Sequence, residues 1–136
     1  MSSTKEVAQQ YMDKLTALDI AGAFGMIAED GKYTIIGTHR AAGTYHGRKD
    51  LFDRLVPLLA GMIQPPKLTF TEPVIAGDRA ILFASGTGVG PTGTPYKQPY
   101  YCFATRIRGE EIVELLEFLD TAEMETGLFG KKIVDA

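Results

Sequence analysis

Residues 96–121, YKQPYYCFATRIRGEEIVELLEFLDT, constrain the fold more than any other stretch. A run of β-branched and aromatic residues (Tyr100, Tyr101, Phe103, Thr105, Ile107) is followed by Arg108-Gly109-Glu110 and then by a second apolar run, Ile112 to Asp120. That pattern predicts two strands joined by a tight turn. Side chains alternate across a sheet, so Val113, Leu115, Glu117 and Leu119 share one face, and Ile112, Glu114, Leu116, Phe118 and Asp120 share the other. Both faces are mostly apolar, so both are expected to be covered. An acid on a covered strand face is costly unless it is paired or used.

The rest of the chain must supply the cover. At 136 residues it reads as one domain, 1–136, long enough to bury a core. Ser3-x-x-Glu6 fits a capping box ahead of Val7, Ala8, Tyr11, Met12 and Leu15, which predicts a helix over Thr4 to Leu18. Asp19 suits the cap of a second helix that holds Phe24 and Ile27 and stops at Gly31. A short strand, Lys32 to Thr38, and an irregular stretch, HRAAGTYHG, come next. A third helix is expected from Gly47-Arg48, with Leu51, Phe52, Leu55, Leu58, Leu59 and Met62 on one stripe, a kink or fresh turn at Pro57, and an end at Pro65-Pro66. Strands are expected over Leu68 to Ile75 and Ala80 to Thr87, and Gly86 to Pro99 reads as a long hairpin loop. Helices first and antiparallel strands after give an α+β class, with helices on one face of a curved sheet.

Charge narrows the function. A net charge of −3 without a basic stripe argues against nucleic acid as a partner. No apolar run approaches the ~18 residues of a membrane span, and the N-terminus lacks signal-peptide features. The expected location is the cytoplasm. One cysteine, Cys102, and two histidines, His39 and His46, are thin material for a metal centre. The glycines of GTGVGPTG, residues 86–93, are followed by proline rather than by a helix, so they read as a hairpin and not as a dinucleotide cradle. No cofactor is expected.

Glu117 is the leading candidate for chemistry. A carboxyl facing an apolar pocket has a raised pKa and suits general acid or base work; the plainer alternative pairs it with an arginine or tyrosine. Asp120 is either the cap of the turn after the strand or a second acid at a pocket mouth. Tyr11, on the apolar face of the first helix, is either core or a donor to a ligand oxygen. Tyr33, Tyr101 and Phe103 read as core first and pocket wall second. His39 lies in the irregular stretch, expected to be exposed, with catalysis as its secondary reading. Cys102 reads as a buried, inert thiol.

Three stretches carry a family resemblance: AEDGKYTIIG, GTYHGRKDLFDRL and, above all, YYCFATRIRGEEIVELLEFLDTA. The last resembles the C-terminal hairpin of SnoaL-like proteins, within the superfamily of nuclear-transport-factor-like and ketosteroid-isomerase-like domains. The resemblance implies a cone-shaped, cystatin-like α+β roll: three helices of the N-terminal half pack on a curved, mostly antiparallel sheet that leaves a deep pocket. It also implies a homodimer through the convex sheet face. Tyr11 falls where ketosteroid isomerases place an oxyanion-hole tyrosine, but their general base falls on Ile35 and their second oxyanion acid on Tyr101. Glu117 matches the last-strand acid of limonene-epoxide-hydrolase-like members, whose arginine and aspartate on strand three are missing here. It also matches the glutamate in the Arg-Glu-Phe motif of phenazine-biosynthesis members, where this chain reads Leu116-Glu117-Phe118.

These readings predict metal-free proton transfer on a small apolar organic molecule: isomerisation, cyclisation, dehydration or epoxide opening. Glu117 would move the proton, with Tyr11, Asp120 and His39 as further catalytic candidates. Tyr33, Ile35, Tyr101, Phe103, Met62 and Leu115 would contact the substrate. The competing reading is a non-catalytic binding or dimerisation module. It expects Glu117 locked in an ion pair and the pocket filled by Phe103, Leu115 and Met62.

Overall fold

The computed structural model describes residues 2–136. Helix α1 spans Thr4–Thr16, and its capping box forms as expected: the Glu6 backbone N–H donates to Ser3 Oγ at 3.1 Å, and the Ser3 N–H donates to Glu6 Oε1 at 3.1 Å. The helix ends two residues before Leu18, because Leu18 turns into the left-handed region at φ 60° and reverses the chain. Asp19 then caps α2, Ile20–Phe24, accepting from the Gly22 N–H.

Helix α2 does not reach Gly31. Ile27 instead opens strand β1, Ile27–Ile35, which begins five residues earlier than its composition suggests. Tertiary pairing overrides local pattern here: β1 runs parallel to the last strand, with Ile27 opposite Ile112, and a bulge separates that contact from the regular register at Lys32. The irregular stretch after it contains a further strand, β2, Gly43–His46, antiparallel to β1. Only Tyr45 of these four residues is buried, so no alternation marks the strand in the sequence.

Helix α3, Gly47–Asp50, a π-helical turn, Leu51–Leu55, and α4, Val56–Ala60, run end to end. The Val56 N–H reaches back five residues to Leu51 O. The register shift puts Pro57 in the first turn of α4, where its missing N–H leaves no hydrogen bond unmade. Pro65-Pro66 does not merely end the helical region. Both prolines lie in β3, Gln64–Phe70, which pairs with β5 alone and so tolerates lost donors. The single strand expected over Leu68 to Ile75 is two, β3 and β4, Val74–Ala76.

Strands β5, Arg79–Val89, and β6, Pro95–Arg108, extend through most of the expected loop, leaving only residues 90–94 as the connection. Gly86 and Gly88 are there for close approach, not for looseness. A Cβ on Gly86 would stand 2.5 Å from Leu68 Cδ2, and one on Gly88 2.6 Å from Gln64 O. Strand β7, Glu111–Phe118, completes the hairpin, followed by α5, Thr121–Glu123, and a second π-helical turn, Met124–Leu128.

The seven strands form one sheet in the order β2-β1-β7-β6-β5-β3, with β4 beside β5; only β1 and β7 are parallel. The helices pack on one face of this open, curved sheet around a core that includes Val7, Tyr11, Leu51, Leu82, Leu115 and Leu128. The other face carries a row across three strands, Phe83, Cys102 and Phe118, of which Phe83 and Phe118 are exposed. Among the described residues no helix is long and apolar enough to cross a membrane.

Candidate functional site

The register of the sheet builds the site. On the helix-covered face Ile35 of β1, Glu117 of β7, Phe103 of β6 and Leu82 of β5 stand side by side in one row, all buried. Alternation along β7 sends Leu115 and Glu117 to one face, as the sequence pattern predicts, but the face of Glu114 and Phe118, expected to be covered, is exposed at both residues because all the helices pack on the other side of the sheet. Ile112 departs from that alternation. A bulge between Arg106 and Ile107 shifts the register, so Ile112 is buried opposite Ile107.

Glu117 is the one charged residue among the side chains that line a cavity of about 70 Å³ between sheet and helices. Leu15, Ile20, Phe24, Leu55 and Leu59 cover it from the helices, and Met124 and Leu128 from the C-terminal π-helical turn. The sheet contributes Tyr33, Ile35, Leu68, Tyr96, Tyr101 and Phe103, with Pro66 at the β3 edge.

The Tyr33 hydroxyl donates to Glu117 Oε1 at 2.5 Å. Burial raises the Glu117 carboxyl from its ordinary 4.5 to about 7; the Tyr33 hydrogen bond opposes the shift and does not offset it. No lysine, arginine or histidine lines the cavity to pair with the charge. The tyrosines around it respond in kind. Burial and then the Glu117 charge raise Tyr33 and Tyr11 above their usual range. Burial raises Tyr101 too, followed by Tyr96 and Glu117. A second hydroxyl pair faces this one: Tyr96 and Tyr101 lie 2.9 Å apart, and Tyr96 donates to Met124 Sδ at 3.3 Å, so Tyr101 donates to Tyr96. The site holds a carboxyl near neutrality among phenols that stay protonated, in an apolar enclosure. Such a group can take up or release a proton at neutral pH.

Of the residues singled out in the sequence, the structure brings Glu117, Tyr33, Ile35, Tyr101 and Phe103 together at the cavity. Tyr11 is fully buried but is not part of the wall, and its hydroxyl has no hydrogen-bond partner of good geometry. Leu115 and Met62 are buried in the core and do not line the cavity.

His39 is not exposed. It is buried, with Nε2 3.1 Å from Ile36 O and Nδ1 accepting from the Ala41 N–H at 3.2 Å. Those bonds place its proton on Nε2, and burial lowers its pKa. Both nitrogens serve the backbone of the loop after β1, so His39 stands apart from the cavity as a structural residue. Asp120 is exposed and caps α5, accepting from the Ala122 and Glu123 N–H groups at 2.9 and 3.3 Å. Cys102 is only half-buried, on the outer face beside Phe83 and Phe118.

Two residues escaped the sequence reading, Tyr96 and Gln98, both inside the stretch read as a loop. Tyr96 lines the cavity, and Gln98 clamps the strand end: its Nε2 donates to Asp120 O at 2.9 Å and its Oε1 accepts from the Asp120 N–H at 2.8 Å. The alternation of Tyr96, Gln98 and Tyr101 around a bulge was the available signal, hidden by the flanking glycines and prolines. Among the described residues no cluster of three or more His, Cys, Asp or Glu side chains is placed to hold a metal ion.

The fold recurs in solved structures. An NTF2-like protein from Burkholderia thailandensis superposes with a TM-score of 0.81 at 19% identity, over 93% of this chain and 97% of its own. TerC, co-crystallised with polyporic acid, matches with a TM-score of 0.77 at 17% identity, over 91% and 96%. A protein of ketosteroid-isomerase-like fold from Catenulispora acidiphila, in complex with trimethylamine, matches with a TM-score of 0.66 at 26% identity, over 85% of each chain. No curated protein matches significantly. The family model of the SnoaL-like domain matches residues 8–115, from the first buried turn of α1 to the Leu115 that precedes the acid, and on that match this chain belongs to the SnoaL-like domain family.

Proposed function

We propose that this chain binds a small organic molecule in the cone and transfers a proton on it, with Glu117 as the group that carries the proton. The supporting observation is Glu117 itself: a buried carboxyl, raised to about 7, held by a phenol and unmatched by any cation in the cavity wall. A structural acid is normally paired with a cation or solvated. Tyr33 orients the carboxyl. Tyr101 can steady a developing oxyanion by turning its hydroxyl proton from Tyr96 to the ligand. Phe103 and Ile35 exclude water beside the acid. The reaction class is isomerisation, cyclisation, dehydration or ring opening. The small molecules held by TerC and by the Catenulispora protein support reading the cone as a ligand site. The exposed Phe83 and Phe118 on the outer face support a homodimer through that face.

Cavity size favours a second reading. At about 70 Å³ the cavity is well below the ~300 Å³ of drug-sized pockets. A dimerisation module needs no ligand-sized room, although the ion pair expected of Glu117 in such a module is not formed among the described residues and Leu115 and Met62 do not fill the cavity. Carbon-detected NMR titration of the glutamate carboxyls, with Glu117→Gln assigning the signal, decides between them. The proton-transfer reading expects a midpoint near 7 and loss of roughly 10²- to 10⁴-fold of any activity in the variant. A midpoint near 4.5 leaves only the non-catalytic module.

A further inference from the structure

The wall of the cavity is chemically one-sided. Five aromatic rings line it (Phe24, Tyr33, Tyr96, Tyr101 and Phe103) together with one acid and no basic side chain. Of the two carboxyl oxygens only Oε1 has a partner, Tyr33. No described group donates to Oε2, and Oε2 is not among the enclosed polar atoms that lack one, so it is open to the cavity. Such a wall repels carboxylates and phosphates. Electron-rich ring faces and a carboxylate together attract a cation. The volume fits a compact head rather than a ring system: about 70 Å³, against the ~10–15 Å³ that one water needs, is room for a handful of heavy atoms.

We propose that the group received at Glu117 is a compact alkylammonium, a nitrogen bearing small alkyl groups, enclosed by the aromatic wall with the carboxylate as its counter-charge. This assignment rests on the reading of the Glu117 cavity as the functional site, and it narrows the ligand from any small apolar molecule to an amine. Every ionisable group facing Glu117 is a phenol: Tyr33 on β1, Tyr101 and Tyr96 on β6, Tyr11 on α1, and, more distantly, Tyr45 on β2. None of them is charged at neutral pH, so the cation has one partner and its binding follows one ionisation.

Calorimetry with three probes of similar shape tests the assignment: tetramethylammonium, the neutral 2,2-dimethylpropanol, and the anion pivalate. Tetramethylammonium is expected to bind about tenfold or more tighter than the alcohol, and pivalate least of all. Its affinity should level off above the Glu117 midpoint and weaken about tenfold per pH unit below it, where the carboxyl is neutral. By reciprocity the bound cation should lower the carboxyl midpoint. Glu117→Gln should abolish the pH dependence and cut the preference over the alcohol to what the rings alone supply. Equal binding of alcohol and cation, stronger binding of pivalate, or no binding of any probe overturns the ammonium assignment. The carboxyl titration keeps the two readings apart. A midpoint near 7 without cation preference removes this inference and leaves proton transfer standing. A midpoint near 4.5 removes proton transfer whichever probe binds.

Discussion

Glu117 in the cavity and Asp50 at the end of α3 are acids under opposite regimes. Asp50 is solvated, accepts from Arg54 through Nε and Nη2 at 2.5 and 2.8 Å, and takes the His46 N–H at 2.8 Å; these bonds hold it well below the usual carboxylate range. Arg54 in turn lies 4.4 Å above the Tyr45 ring. Glu117 has one phenol, no cation and little contact with water, and its carboxyl rises instead of falling. The same functional group is thus driven in two directions by its surroundings. Where charge is stabilised the acid is inert; where it is not, the acid is poised to exchange a proton.

The largest expected effect comes from opening the apolar wall. Phe103 sits beside Glu117 in register and packs on Tyr101 and Phe70 with ring centroids 5.5 and 6.0 Å away. Phe103→Ala is expected to cost ~3–5 kcal/mol in denaturant unfolding and to bring the Glu117 midpoint down toward 4.5 as water enters. A midpoint still near 7 in a hydrated cavity would show that burial is not what raises it, and the contrast with Asp50 would collapse.

Next is the pH dependence of stability. The folded value of Glu117, about 7, lies above its ordinary 4.5, so across that window the native state holds a proton that the unfolded chain has released. Stability therefore falls as pH rises from 4.5 to 7, by about 3 kcal/mol from this group, and is flat above. Glu117→Gln should remove that slope. Persistence of the slope in the variant would assign it to another group.

A smaller effect sharpens the role of Tyr33. Because its hydroxyl stabilises the ionised carboxyl, Tyr33→Phe should push the Glu117 midpoint further up, at a cost of ~1 kcal/mol in stability. A fall in the midpoint would mean the phenol serves the neutral acid. The smallest effect belongs to the half-buried surface acid. Asp50→Asn should leave the Glu117 titration where it was and change the unfolding midpoint only slightly, as surface ion pairs do. A loss as large as that of Phe103→Ala would contradict the description of Asp50 as solvated.

The contrast also explains what the sequence disclosed. Glu117 was legible because period-2 alternation places it among Leu115 and Leu119 on a covered face, and a single acid in an apolar row stands out. The capping box of α1 and the β6–β7 turn were legible because each is decided within a few residues. Strand β2 was not, since a short edge strand with one buried residue carries no periodicity. Tyr96 and Gln98 were hidden by a rule that usually holds. Glycine and proline punctuate loops, but here Gly86 and Gly88 permit close strand contact and Pro65 and Pro66 sit on a sheet edge. His39 misled in the other direction, because an irregular stretch need not be exposed when its side chain completes the backbone's own hydrogen bonds.

The parallel pairing of β1 with β7 has a consequence for how the molecule forms. Tyr33 and Glu117 are 84 residues apart in sequence, and the strands that carry them are neighbours only after every strand between has been laid down. Closing so long a span costs chain entropy before any contact returns it, which makes the last pairing slow compared with the local β6–β7 hairpin. On the ribosome, the first two-thirds of the chain can condense its helices and early strands while the acid that defines the site is still unmade. The candidate site and the β1–β7 pairing therefore form together: a chain that has not docked β7 on β1 has no oriented carboxyl.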